Sequence, residues 1–130
     1  MNQNNVRWVS GMPYTGWSMG YDQLVISHLS TEFVLVPIAA TKAGVAYNPT
    51  GDTLQFAFMP TPTQIPQVSD WVAGLWETVS SNILYPYNAK CLVGPTGGTI
   101  NLGMGTYVIY LKITDSPEQP VLIGGQLVVS

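Results

Sequence analysis

The sequence predicts an all-β domain: an immunoglobulin-like antiparallel β-sandwich of about seven strands with an extended N-terminal arm. Three observations carry this reading. Short runs rich in β-branched and aromatic residues recur at turn spacing from about residue 30 onward. Gly and Pro, 13 and 10 of the 130 residues, punctuate those runs. Nowhere do apolar residues recur at three-four spacing for more than one turn, so no α-helix longer than about six residues is expected.

The strands follow in order. Residues 32–39 (EFVLVPIA) are β-rich, and Pro37, which has no N–H for a ladder, marks an edge or bulged strand. Residues 52–59 alternate, with Leu54, Phe56 and Phe58 on one face and Thr53, Gln55 and Ala57 on the other. Residues 70–78 carry Trp71, Leu75 and Trp76, with Gly74 as a candidate bulge. Residues 87–93 and 98–102 read as shorter strands. Residues 106–114 alternate again, with Tyr107, Ile109, Leu111 and Ile113 facing one way. Residues 121–129 close the chain, bent or bulged at Gly124-Gly125.

The turns have their own chemistry. Asn48-Pro49-Thr50-Gly51 places Asn first, Pro second and Gly fourth, as a type I turn prefers, and Gly94-Pro95-Thr96-Gly97 repeats the last two. Asp115-Ser116-Pro117 ends the penultimate strand in the same style. Leu102-Gly103-Met104-Gly105-Thr106-Tyr107 has the L-x-x-G-x-Y spacing of a tyrosine corner, in which a Tyr hydroxyl bonds back to nearby backbone. Trp71 or Trp76 is then the candidate tryptophan between the sheets.

Residues 1–30 differ in character, so the chain divides into an arm over 1–30 and a sandwich over 31–130. The arm opens with amides, then scatters Trp8, Tyr14, Trp17 and Tyr21 among Met12, Met19 and several glycines, without strand or helix period. Ordering such a stretch costs about 1–2 kcal/mol per residue, so it needs a large surface to lie on. Interface cores are poor in charge and rich in aromatics and Met. Arg7, Trp8, Met12, Tyr14, Trp17, Met19 and Tyr21 are therefore the candidate partner-binding residues of a separable arm laid across neighbouring subunits, an arm packed as a flap on its own sandwich being the alternative.

Charge points the same way. Only 8% of the residues are charged, against about 25% in an average soluble domain, while 46% are hydrophobic. A surface so neutral favours association, which suits a subunit covered by neighbours. Four cations and a net charge of −3 supply no basic patch, which argues against nucleic acid as a partner. No apolar run is long enough to cross a membrane as a helix, and the first residues lack the apolar core of a signal peptide.

Catalytic chemistry finds little support. His28, the lone histidine, lies in LVISHLS beside Ser27 and Ser30, whose neighbouring strand positions do not converge on one nucleophile. It reads as a strand histidine making one hydrogen bond. One Cys and one His do not make a zinc site, and the acids Asp22, Glu32, Asp52, Asp70, Glu77 and Asp115 are too scattered for a calcium loop. Asp70 and Glu77 are the nearest carboxylate pair for glycoside hydrolysis. Cys91 sits in an apolar strand with Lys90 on the opposite face, so it reads as a buried hydrophobe. Gly103-x-Gly105 lacks the rest of a nucleotide loop. The expectation is a non-enzyme with no catalytic residues, no metal and no cofactor.

The runs TKAGVAYNPTGDTLQFAFMP, DWVAGLWETV and NAKCLVGPTGGTINLGMGTYVIYLKITDSPEQPVLIGGQLVV resemble small immunoglobulin-like virion proteins of tailed bacteriophages, over about residues 30–130. The resemblance implies a structural role: a capsid decoration or minor capsid protein whose partners are the major capsid protein and neighbouring virion subunits, homo-oligomers included. It equally admits a head–tail connector or tail-associated component. A third reading is a glycan-binding module, with Trp71, Trp76, Tyr85 and Tyr87 as stacking platform. A single Cys and no Asn-x-Ser/Thr acceptor suit a virion protein assembled in the host bacterial cytoplasm.

Overall fold

The computed structural model describes residues 6–17, 24–60, 65–79 and 81–130. These residues form ten strands: β1 (Val6–Ser10), β2 (Leu24–Ile26), β3 (Glu32–Lys42), β4 (Val45–Ala46), β5 (Thr53–Pro60), β6 (Val72–Ala73), β7 (Leu75–Thr78), β8 (Tyr87–Val93), β9 (Gly105–Thr114) and β10 (Val121–Val129). The only helical pieces among them are two three-residue 3₁₀ turns. One sheet runs β1-β3-β8-β7, with β4 also on β3, and the other runs β2-β10-β9-β5-β6. Labelled A to G in chain order, the strands β1, β3, β5, β7, β8, β9 and β10 lie as A-B-E-D over G-F-C. That is the strand order of an immunoglobulin constant-type sandwich.

Alternation builds the core. Val34, Val36 and Ile38 of β3 and Ala89, Cys91 and Val93 of β8 face Leu54, Phe56 and Phe58 of β5, with Ile109, Leu111 and Ile113 of β9 beside them. Phe56 is fully buried and stacks on Phe58 with ring centroids 5.8 Å apart. The third long strand is thus β5, and Phe56 fills the place expected of Trp71 or Trp76. Trp76 instead seals the rim, packed against the core while its indole N–H donates to the Asp52 carbonyl at 3.0 Å. The tyrosine corner is present: the Tyr107 hydroxyl donates to the Gly103 carbonyl at 2.7 Å.

Three expectations need correction. Pro37 does not put β3 on an edge, since β1 and β8 flank it. The break falls on the partner instead. Leu35 exchanges both backbone bonds with Tyr14, so the nitrogen of Pro37, two residues on, points to the same side and offers nothing. β1 accordingly leaves the ladder after Ser10 and touches it again at Tyr14. Residues 70–78 are two strands, not one. β6 pairs with β5 and β7 with β8, so the chain changes sheets at Gly74. A Cβ there would come within 2.8 Å of the Phe56 ring, which leaves room only for hydrogen. Residues 98–102 form no strand and contribute only a bridge from Ile100 to Val93.

Within residues 1–30, the described residues pair into the two sheets. β1 pairs with β3 over five residues, from Val6↔Lys42 to Ser10↔Ile38. β2 pairs in parallel with the last residues of β10. The sequence period is hard to see because β1 is short and, although burial alternates along it, an apolar Val9 faces out and a polar Ser10 takes a half-buried position.

Candidate interaction surface

The described N-terminal residues reach both sheets, β1 on β3 of the first and β2 on β10 of the second. Pairing register decides where its side chains go. Trp8 lies opposite Ala40, on the inward face of β3, and it packs half-buried against the core. Its ring meets Tyr47 edge-on, with centroids 6.1 Å apart. Trp8 is therefore part of the domain and is not presented to a partner. Arg7 and Val9 take the alternate positions and are exposed.

Tyr14, opposite Leu35, reaches across the outer face of the first sheet, where its hydroxyl accepts from the Asn88 amide at 2.7 Å. The same amide donates to Glu77 at 3.0 Å, and Lys90 lies 3.9 Å from Glu77. Leu35 and Asn88 point outward from their strands yet are buried, which is the cover Tyr14 provides. Tyr14 is thus held within the fold. Asn88 was not singled out by the sequence, although one Asn in an otherwise apolar strand marks a polar contact.

Met12 and Trp17 behave otherwise. Met12 is 49% exposed and Trp17 is 88% exposed. The buried Thr15 accepts from the Trp17 backbone N–H at 3.2 Å, which fixes the turn presenting the indole. Of the seven candidates, Arg7, Met12 and Trp17 are available on the surface, and Trp8 and Tyr14 are not. Met19 and Tyr21 lie outside the described residues.

Beside Met12 opens a groove of about 700 Å³, lined by Ser10–Pro13 and by Ile123–Gln126 of β10, together with Leu24 and Tyr85. Gly11 lets the segment close on Pro37 and Tyr85, and Pro13 packs on Gly125, whose φ of +123° few other residues adopt. No carboxylate, amine, thiol or imidazole lines it. Its polar groups are the Ser10 and Tyr85 hydroxyls and the Gln126 amide, and it can hold extended chain or apolar groups.

The other candidates do not converge. Asp70 accepts from the Gln67 N–H at 2.7 Å before β6, while Glu77 belongs to the other sheet and serves Asn88 and Lys90. The imidazole Nδ1 of His28 lies 2.7 Å from the Ser130 carbonyl, on the exposed rim. Cys91 is buried, which pushes its thiol up to about 12. No cluster of three His, Cys, Asp or Glu occurs among the described residues. The stacking platform does not assemble either. Trp76 and Tyr87 are packed on the core, Trp71 lies under the Lys112 ammonium at 4.6 Å, and Tyr85 sits against Gly11.

One polar cluster was not foreseen. The Tyr47 hydroxyl donates to Asp52 at 2.9 Å and lies 3.3 Å from Asp115. Burial, then the charge of Asp115, raises Asp52 above the usual carboxylate range, against the opposing pull of Tyr47 and Lys42. The phenol is raised too, by burial and by Asp52, and stays protonated. This cluster ties the 48–52 turn to the β9–β10 hairpin. Compared with known proteins, the chain matches no family model and no curated relative.

Proposed function

We infer that the chain is a non-enzymatic structural subunit of a tailed-phage virion, a capsid decoration or minor capsid protein docked on the major capsid protein. The observation that carries the docking is an exposed Met12 lining an uncharged groove, with an exposed Trp17 five residues further along the same segment. A freely diffusing domain gains nothing by fixing an indole in water, whereas Trp is the residue type that most often anchors an interface. The outer faces add support, since each sets its lysine on an aromatic ring: Lys90 over Phe33 at 4.7 Å and Lys112 over Trp71 at 4.6 Å. The phage assignment itself rests on the resemblance of residues 30–130 to virion sandwiches.

The test uses point changes, because removing residues 2–23 would also remove β1 and Trp8 from the fold. Trp17→Ser combined with Met12→Ser should leave a folded chain that no longer sediments with purified phage heads. Undiminished association of that variant would refute the docking surface, and absence of the wild-type chain from particles would refute the virion role. Copy number then places it, hundreds per particle for decoration and about one ring for a connector.

A further inference from the structure

The open edge of β10 states what kind of group it needs. The Ile113 N–H donates to the Pro120 carbonyl at 3.1 Å, and Leu122 lies opposite Leu111. In an antiparallel ladder, facing residues bond in alternate pairs, so Pro120 and Leu122 turn toward β9 while Val121 and Ile123 turn their N–H and C=O away. On that side β2 begins only at Leu24↔Leu127, and among the described residues no strand pairs with Val121 or Ile123. Both are exposed, at 52% and 62%. Ile123 also lines the groove, together with Gly124, Gly125 and Met12.

We propose that this edge and groove take an extended, uncharged segment of a different protein subunit, added to β10 as a further strand. The inference rests on the reading of the chain as an assembly subunit and names what its open side receives. A row of backbone donors and acceptors is satisfied by another extended backbone, and the adjoining groove then holds its side chains. The lining contains no charged group, so a charged segment would lose its hydration without compensation.

A second copy of this chain is a poor occupant. The register shift at Gly124 and the ring of Pro13 on Gly125 end the open edge after Ile123. Three residues span about 10 Å. Self-pairing over that length falls well short of the roughly 800 Å² per partner that a stable interface buries. The bulge thus limits edge-to-edge pairing of two folded copies, while a flexible segment can follow the edge into the adjoining groove, which a strand held in its own sheet cannot enter.

The test is a displayed library of random octapeptides panned against the full chain. The expected winners are uncharged and protect the Val121 and Ile123 amides from hydrogen exchange. Ile123→Pro and, separately, Val121→Pro should weaken them about tenfold or more, since each removes an N–H and leaves the opposing carbonyl unpaired. Neither proline disturbs the β9 ladder, because those N–H groups point away from it. The inference is overturned by no enrichment, or by winners that bind a folded proline variant as tightly as wild type. A wild-type dimer abolished by Ile123→Pro would also overturn it, in favour of a second copy. Absence from phage particles would sink the virion reading alone, because the panning uses only the isolated chain.

Discussion

Two tryptophans nine residues apart should respond in opposite ways to truncation, and the pair tests the whole account of the N-terminal segment. Trp8 is packed against the core and edge-on to Tyr47, whereas Trp17 is 88% exposed. Truncating a fully buried Trp to Ala costs about 3–5 kcal/mol. Trp8 is half-buried, so Trp8→Ala should cost about 2–3 kcal/mol, including the aromatic contact with Tyr47, a pair of a kind worth about 0.5–1.5 kcal/mol. Trp17→Ala touches nothing that holds the fold and should stay within about 0.5 kcal/mol. Urea unfolding followed by far-ultraviolet circular dichroism reads both. With a slope of about 1.5–2 kcal/mol per molar, the midpoint falls by about 1–2 M for Trp8→Ala and stays nearly in place for Trp17→Ala. Particle binding should show the reverse dependence, lost with Trp17→Ala and kept with Trp8→Ala at temperatures where that variant is folded. An unchanged midpoint for Trp8→Ala would mean that β1 is not part of the sandwich, and the reasoning from register would fail.

Further outcomes follow from single contacts. Tyr107→Phe removes the corner bond to Gly103 and should cost about 1 kcal/mol, read by the same unfolding assay. Gly74→Ala forces a methyl onto the Phe56 ring and should cost about 1–3 kcal/mol, with hydrogen exchange rising first in β6 and β7. Cys91, with its thiol raised by burial, should resist a thiol reagent at pH 8 until the chain is unfolded by urea. Asp52 is held above its ordinary value in the fold, so its contribution to stability is present at low pH and is lost as pH rises through the folded value. Asp52→Asn keeps an acceptor for Tyr47, removes the repulsion from Asp115, and should flatten that acid-side dependence while leaving stability at pH 7 equal or higher.

The long alternating segments were legible because one property, burial, dictated every second residue. In β9, Ile109, Leu111 and Ile113 are buried and their neighbours are not, and the glycines before Tyr107 announce the corner bond. The two halves of 70–78 were not separable, because what divides them is contact of Gly74 with Phe56, a residue eighteen positions earlier. Pro37 carried a true signal with the wrong address: the missing N–H interrupts the neighbour's ladder, and a sequence does not say on which side a strand's open nitrogen lies. The candidate surface split for the same reason. Trp8 and Trp17 are indistinguishable by composition, and only the register of β1 on β3 turns one inward.

The scarcity of charge has a structural counterpart in where the charges are spent. Lys90 is shared between Glu77 and the Phe33 ring, Lys112 lies on Trp71, and Asp52 and Asp115 flank one phenol. Each of these charges is engaged within its own chain. Exposed ion pairs stabilise a fold by only about 0–1 kcal/mol, so such pairing contributes little to folding. Its larger consequence concerns neighbours. A charge already resting on a ring or a partner is less costly to cover than one fully hydrated, because part of its solvation has already been exchanged for protein contacts. On a domain with an exposed indole and, among the described residues, an unpaired strand edge, this lowers the cost of covering the faces around that edge. The engaged charges and the unpaired Val121–Ile123 edge would then act together in the docking proposed above.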